Sequence, residues 1–142
     1  MTTISKDVLD TLIKDALQAK ETSYSPYSKF RVGAALLSKD GTIFKGCNIE
    51  NASYGGAICA ERTAYVKAIS EGHKEFTALA VSTDQDEFVS PCGICRQFIS
   101  EFGPSSLPVY LLNNKGDYKL ITLGELLPLS FSLEQGEKYL IK

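Results

Sequence analysis

Cys59 and Glu61 stand two residues apart, and further along the chain Cys92 and Cys95 stand three apart. Thiolates are zinc ligands, and a zinc ion that does chemistry keeps three protein ligands and a fourth position for water. The chain has four cysteines and one histidine, His73, so sulfur must dominate any such site. Two cysteines three apart at a helix start turn their thiols to one side, within reach of one ion. Both cysteine segments fall at expected helix starts, where peptide dipoles favour the thiolate. Glu61, in the first turn after Cys59, can sit beside the metal without ligating it. Zinc lowers the pKa of a bound water towards about 7, and a neighbouring carboxylate can take that proton and pass it on. The implied chemistry is hydrolytic attack on an electrophilic carbon.

Blander readings stand beside this one. A Cys-x-x-Cys pair alone is equally a structural zinc site, a redox dithiol or chance. A structural site closes with four protein ligands, and Cys47, otherwise a buried thiol, is the candidate fourth. Glu61 by itself is a glutamate favoured by the helix dipole. Its adjacency to Cys59 is what turns the pattern towards catalysis. His73 reads as a surface or capping residue with no chemistry.

The elements that must position these groups follow from periodicity. Ser5 caps a helix running through Lys20, with Val8, Leu9, Leu12, Ile13, Ala16 and Leu17 on one face. After a Tyr-Ser-Pro-Tyr loop, residues 30–37 read as a strand, Asp40-Gly41 as a tight turn and residues 43–49 as the returning strand. A polar, glycine-bearing loop leads to a helix over residues 59–70 with a small-residue face, closed near Gly72. Phe76–Thr83 is a nearly continuous apolar strand, covered on both faces and central. Ser90-Pro91 marks a third helix, stopped by Gly103-Pro104. Strands at 109–112 and 118–122 are separated by too few residues for a parallel crossover, so they are antiparallel. The tail, 123–142, holds short helical stretches around Pro128. Alternating strands and helices predict an α/β fold, a three-layer α/β/α sandwich around a five-stranded mixed sheet.

The 142 residues suit a single domain over 1–142, with 44% hydrophobic and 23% charged residues. No stretch reaches the roughly 20 apolar residues of a membrane span, and the polar start lacks a signal peptide's apolar segment. The expected location is the cytoplasm. The net charge is −2 and the cations are scattered, which speaks against a polynucleotide partner and for a small molecule.

Cys59-Ala60-Glu61-Arg62 and Pro91-Cys92-Gly93-Ile94-Cys95-Arg96-Gln97 together resemble the zinc signature of the cytidine deaminases. The resemblance extends over Tyr24-Ser25-Pro26-Tyr27-Ser28-Lys29-Phe30-Arg31-Val32-Gly33-Ala34-Ala35-Leu36, over Asn48-Ile49-Glu50-Asn51-Ala52-Ser53-Tyr54-Gly55, and over Leu126-Leu127-Pro128 before Phe131, as in the small homotetrameric subgroup. It implies one Zn²⁺ per subunit on Cys59, Cys92 and Cys95. It also implies attack of water at C4 of cytidine or 2′-deoxycytidine, with Glu61 protonating N3 and then the departing amine. Ala60 would meet the base edge, Phe30 would wall the ring, and Asn48 and Glu50 would take the ribose hydroxyls. Tyr54 and Phe131 would reach a neighbour's pocket, so that pockets are shared between subunits. Three thiolates overcompensate the charge of zinc, and Arg62 looks like the family arginine that hydrogen-bonds the sulfurs, with Gln97 a second candidate. The alternatives are a blasticidin S-type or other aminopyrimidine deaminase, and a non-enzymatic zinc module.

Overall fold

The computed structural model describes residues 4–133. Helix α1 (Lys6–Ala19) starts where Ser5 accepts a hydrogen bond from Val8 N at 3.2 Å, satisfying one of the open donors of the first turn. Strands β1 (Val32–Ser38) and β2 (Ile43–Cys47) form the opening hairpin. Then come α2 (Ala60–Ser70), β3 (Phe76–Thr83), α3 (Gly93–Ser100), β4 (Pro108–Leu112), β5 (Tyr118–Thr122) and a short α4 (Leu123–Leu126). The sheet order is β2-β1-β3-β4-β5, with β3 and β4 the parallel pair and β4 and β5 antiparallel.

Helices lie on both faces, as a three-layer α/β/α sandwich requires. Strand side chains alternate between faces with period two, and both faces of β1 and β3 are buried. Ala35, Leu37, Ala78 and Ala80 meet Leu12 and Ala16 of α1. Ala34, Leu36, Leu79 and Val81 meet Ala64, Tyr65 and Ala68 of α2 and Cys95 and Ile99 of α3. Two glycines permit close approach of helix to strand. A methyl group on Gly33 would fall 2.4 Å from Ala16 O, and Gly46 brings β2 equally close to the start of α2.

Several element ends differ from expectation, for local reasons. The hairpin ladder ends at the Gly33–Cys47 pair, short of Phe30 and Ile49, because beyond the Asn48 N to Val32 O bond at 3.2 Å the side chain of Asn48 replaces the next rungs. Its Oδ1 accepts from Val32 N at 2.9 Å and its Nδ2 donates to Phe30 O at 2.7 Å. Ile49 instead bridges Tyr24 and Ile58. The third helix begins at Gly93, after an extended Cys92, and ends at Ser100. Phe102 N then bonds Ile99 O at 2.9 Å, a tighter turn that closes the helix before Gly103. In the tail, α4 ends before Pro128, and residues 134–142 lie outside the described part.

Candidate active site

Cys59 and Cys92 are the residues that immediately precede α2 and α3, and Cys95 lies in the first turn of α3. Because β3 runs between those helices, both helix starts come to the same end of the sheet. The three sulfurs lie within 4.8 Å of one another, with Cys59 and Cys92 3.9 Å apart. Sulfurs at about 2.3 Å from a tetrahedral zinc are about 3.8 Å apart, so the donor set fits that ion with small adjustments. Cys47 is outside the group among the described residues. Its Sγ instead donates to Thr22 O at 3.4 Å. The cluster therefore has three protein sulfurs and no fourth, the pattern of a metal site with a position for water.

The surroundings favour one anionic sulfur, that of Cys59, while the hydrogen bond it receives from Cys95, with burial, pushes the Cys95 thiol up. The Cys59 thiol is lowered to about 5, chiefly by its hydrogen bond with Cys95, with Arg62 and Cys92 adding and burial opposing. Arg62 Nη2 donates to Cys59 Sγ at 3.6 Å, and its Nε is buried without a hydrogen-bond partner among the described residues. Glu61 is 4% exposed. Burial, with the charge of Cys59 adding, pushes its carboxyl up to about 7. A carboxyl of that basicity can hold or release a proton near neutrality.

Glu61, Cys59, Cys92 and Arg62 line a cleft of about 470 Å³, a volume suited to a small organic ligand. Asn48, Glu50, Tyr54 and Ala60 line it too. Asn48 is held by the Phe30 and Val32 backbone. Glu50 is gripped by the Tyr24–Phe30 loop, since its Oε1 accepts from Tyr27 N at 2.9 Å and Ser28 N at 3.1 Å, and its Oε2 accepts from the Ser28 hydroxyl. The Ser28 bond is the first cause holding the Glu50 carboxyl below its ordinary value. Val32, Thr83, Val89, Ser90 and Ile94 complete much of the wall. These come from three stretches of chain, at Val32, at Thr83 and over 89–94, and no periodicity in the sequence links them to Glu61.

Two residues expected at this site, Phe30 and Gln97, stand elsewhere, while Phe131 is expected at a neighbour's pocket and not at this one. Phe30 is half-buried and does not line the cleft. Phe131 is 61% exposed and also outside it. Gln97 does not turn to the sulfurs, for its Nε2 donates to Phe131 O at 3.1 Å, and its position on the exposed side of α3 explains why. His73 packs edge-on against Phe44 and lies 3.6 Å from Asp40, away from the cleft. No helix among the described residues is long and apolar enough to cross a membrane.

A cluster of three thiols and a buried glutamate, set at the starts of two helices in an α/β/α sandwich, defines the site of a zinc-dependent hydrolase. The family model described as the cytidine and deoxycytidylate deaminase zinc-binding region matches residues 6–111. A cytidine deaminase of Sporosarcina psychrophila is 56% identical over 126 residues, which cover 89% of this chain and 93% of that protein. A cytidine deaminase of Halalkalibacterium halodurans is 55% identical over 123 residues, 87% of this chain and 93% of its own. The crystal structure of a cytidine deaminase from Burkholderia pseudomallei superposes with a TM-score of 0.83 at 45% identity, covering 90% of this chain and all of that one. The chain belongs to the cytidine and deoxycytidylate deaminase family.

Proposed function

We propose that the protein hydrolyses cytidine and 2′-deoxycytidine to uridine and 2′-deoxyuridine with release of ammonia, as a cytoplasmic homotetramer with one zinc per subunit. The observation that carries this reading is the buried Glu61 beside three sulfurs in a nucleoside-sized cleft. Cys59, Cys92 and Cys95 would hold the zinc, which would supply the Lewis acidity that makes water acidic enough for a weak base. Glu61 takes one proton from the attacking water as the water oxygen bonds C4 and passes that proton to N3. It then takes the second proton from the new C4 hydroxyl and gives it to the amine as the C4–N bond breaks and ammonia leaves. Ala60 meets the base edge. Arg62, bonded to Cys59 Sγ, withdraws charge from the anionic ligand set.

Asn48 and Glu50 fit the ribose hydroxyls. A carboxylate accepts from neutral hydroxyls and repels a phosphate, which favours a nucleoside over a nucleotide. Tyr54 and Phe131 are 79% and 61% exposed, and with exposed Tyr24, Tyr27 and Ile94 they suit surfaces covered by neighbouring subunits. All four cysteines are free thiols, as suits a reducing compartment. Ultraviolet monitoring of cytidine turnover, alongside a zinc count per chain and the mass of the assembly, tests the reading. Turnover of blasticidin S but not of cytidine would overturn the substrate. Loss of zinc on Cys47→Ala would favour a closed four-cysteine site.

A further inference from the structure

We propose that Arg96 is a positioning residue of the metal centre, holding the segment that delivers Cys92. Residues 84–92 form neither strand nor helix, yet the last of them carries a ligand sulfur. Cys95 is fully buried within a helix and Cys59 half-buried at the head of another, whereas Cys92 is exposed. Among the three sulfurs, that of Cys92 depends most on how an irregular stretch of backbone is fixed.

The side chain of Arg96, one residue after Cys95, turns back onto that stretch. Its Nε donates to Pro91 O at 2.7 Å, its Nη2 to Ser90 Oγ at 2.7 Å and its Nη1 to Leu126 O at 2.7 Å. The Pro91 carbonyl belongs to the peptide that includes the Cys92 nitrogen, so the first bond sets the plane from which the Cys92 side chain springs. The second fixes Ser90, which lines the cleft. The third anchors the guanidinium to the end of α4, itself closed by reciprocal Thr122 and Glu125 bonds. A planar fork can satisfy three acceptors in fixed directions, where a lysine supplies a single compact charge. Arg96 does not line the cleft, so it acts through Cys92 and not on the substrate.

This inference rests on the three-cysteine ligand set and is indifferent to the substrate. The test uses the zinc-loaded full chain and follows zinc release to a chromogenic chelator, together with the thiolate-to-metal absorption of the cobalt-substituted protein. Arg96→Ala should release zinc about 10- to 100-fold faster than wild type and alter the cobalt spectrum. Arg96→Lys and Ser90→Ala should fall between the two. Gln97→Ala, which removes the next side chain of α3 and its bond to Phe131 O but leaves all three Arg96 bonds, should release zinc at the wild-type rate. Release from Arg96→Ala at the wild-type rate overturns the proposal while the metal site stands, and so does equal acceleration by Gln97→Ala. If Arg96→Ala does not fold, wild-type release by both Arg96→Lys and Ser90→Ala overturns it. A wild-type chain that binds no zinc overturns both the ligand set and this proposal.

Discussion

Gly46 lies so close beneath Ala60 that a methyl group on it would stand 2.5 Å from the Ala60 carbonyl oxygen. The obstacle is backbone and cannot swing aside. It belongs to the turn of α2 flanked by Cys59 and Glu61, so strand β2 sets the height at which those two groups stand. Gly46→Ala should therefore lift the start of α2, destabilise the fold by about 1–3 kcal/mol, and lower both zinc content and turnover. Thermal unfolding with a zinc count would check it; wild-type values in both would show that α2 is not seated on β2.

Glu61→Gln keeps shape and volume while removing the proton carrier. The sulfurs stay where they are, so zinc content should equal that of wild type. Turnover should fall by about 10²–10⁴, the range attributable to a positioned acid and base. A parallel metal and activity assay decides the matter, and a variant retaining a tenth of wild-type turnover would move the proton transfer to another group.

The Tyr65 hydroxyl is fully buried among Phe76, Phe98 and Phe102 and has no hydrogen-bond partner among the described residues. An unpaired buried hydroxyl costs about 1–3 kcal/mol. Tyr65→Phe should leave stability unchanged or raise it by about 1 kcal/mol, measured by denaturant unfolding. A marked loss would reveal a partner for the hydroxyl.

Lys20 is 6% exposed, and its ammonium sits 3.1 Å from Asp84, which also receives Arg31 Nε at 2.7 Å. The Arg31 bond, followed by those of Lys20, holds the Asp84 carboxyl below its ordinary value. A carboxyl lowered by folding stabilises the native state above the unfolded value, near 4, and that contribution disappears as pH falls through the lower folded value. Asp84→Asn should cost up to about 1 kcal/mol at pH 7, solvent screening the partly exposed pair, and the gap from wild type should close progressively below pH 4. Urea unfolding across pH measures it; a gap constant with pH would assign the loss to packing.

What could be read from the amino acids and what could not divides along a physical line. The grouping of Cys59, Cys92 and Cys95 with Glu61 was legible because thiol ligands are few and their spacings are short. The sheet was legible because β1 and β3, buried on both faces, are written as nearly continuous apolar runs. The ends of the hairpin were not, since a side-chain amide, that of Asn48, takes over hydrogen bonds that a propensity argument assigns to backbone. Gln97 and Arg96 follow Cys95 directly, yet one turns to Phe131 and the other to Pro91, Ser90 and Leu126. Adjacency to a ligand says nothing about which way a helix presents the next side chain. The apolar and hydroxyl residues that complete the cleft wall, from Val32 to Ile94, meet only through tertiary packing.

Cys59 and Cys92 stand at positions where a helix ordinarily receives serine, threonine, aspartate or asparagine, and neither side chain accepts from its own helix's first turn. Each helix thereby forgoes roughly 1 kcal/mol of terminal stabilisation. The two sulfurs are reserved for an ion common to both helices, and with Cys95 they make that ion a crosslink between the origins of two helices that strand β3 separates along the chain. The unloaded protein should therefore loosen first at these two helix origins, so that metal supply governs how long the chain survives as well as whether it works.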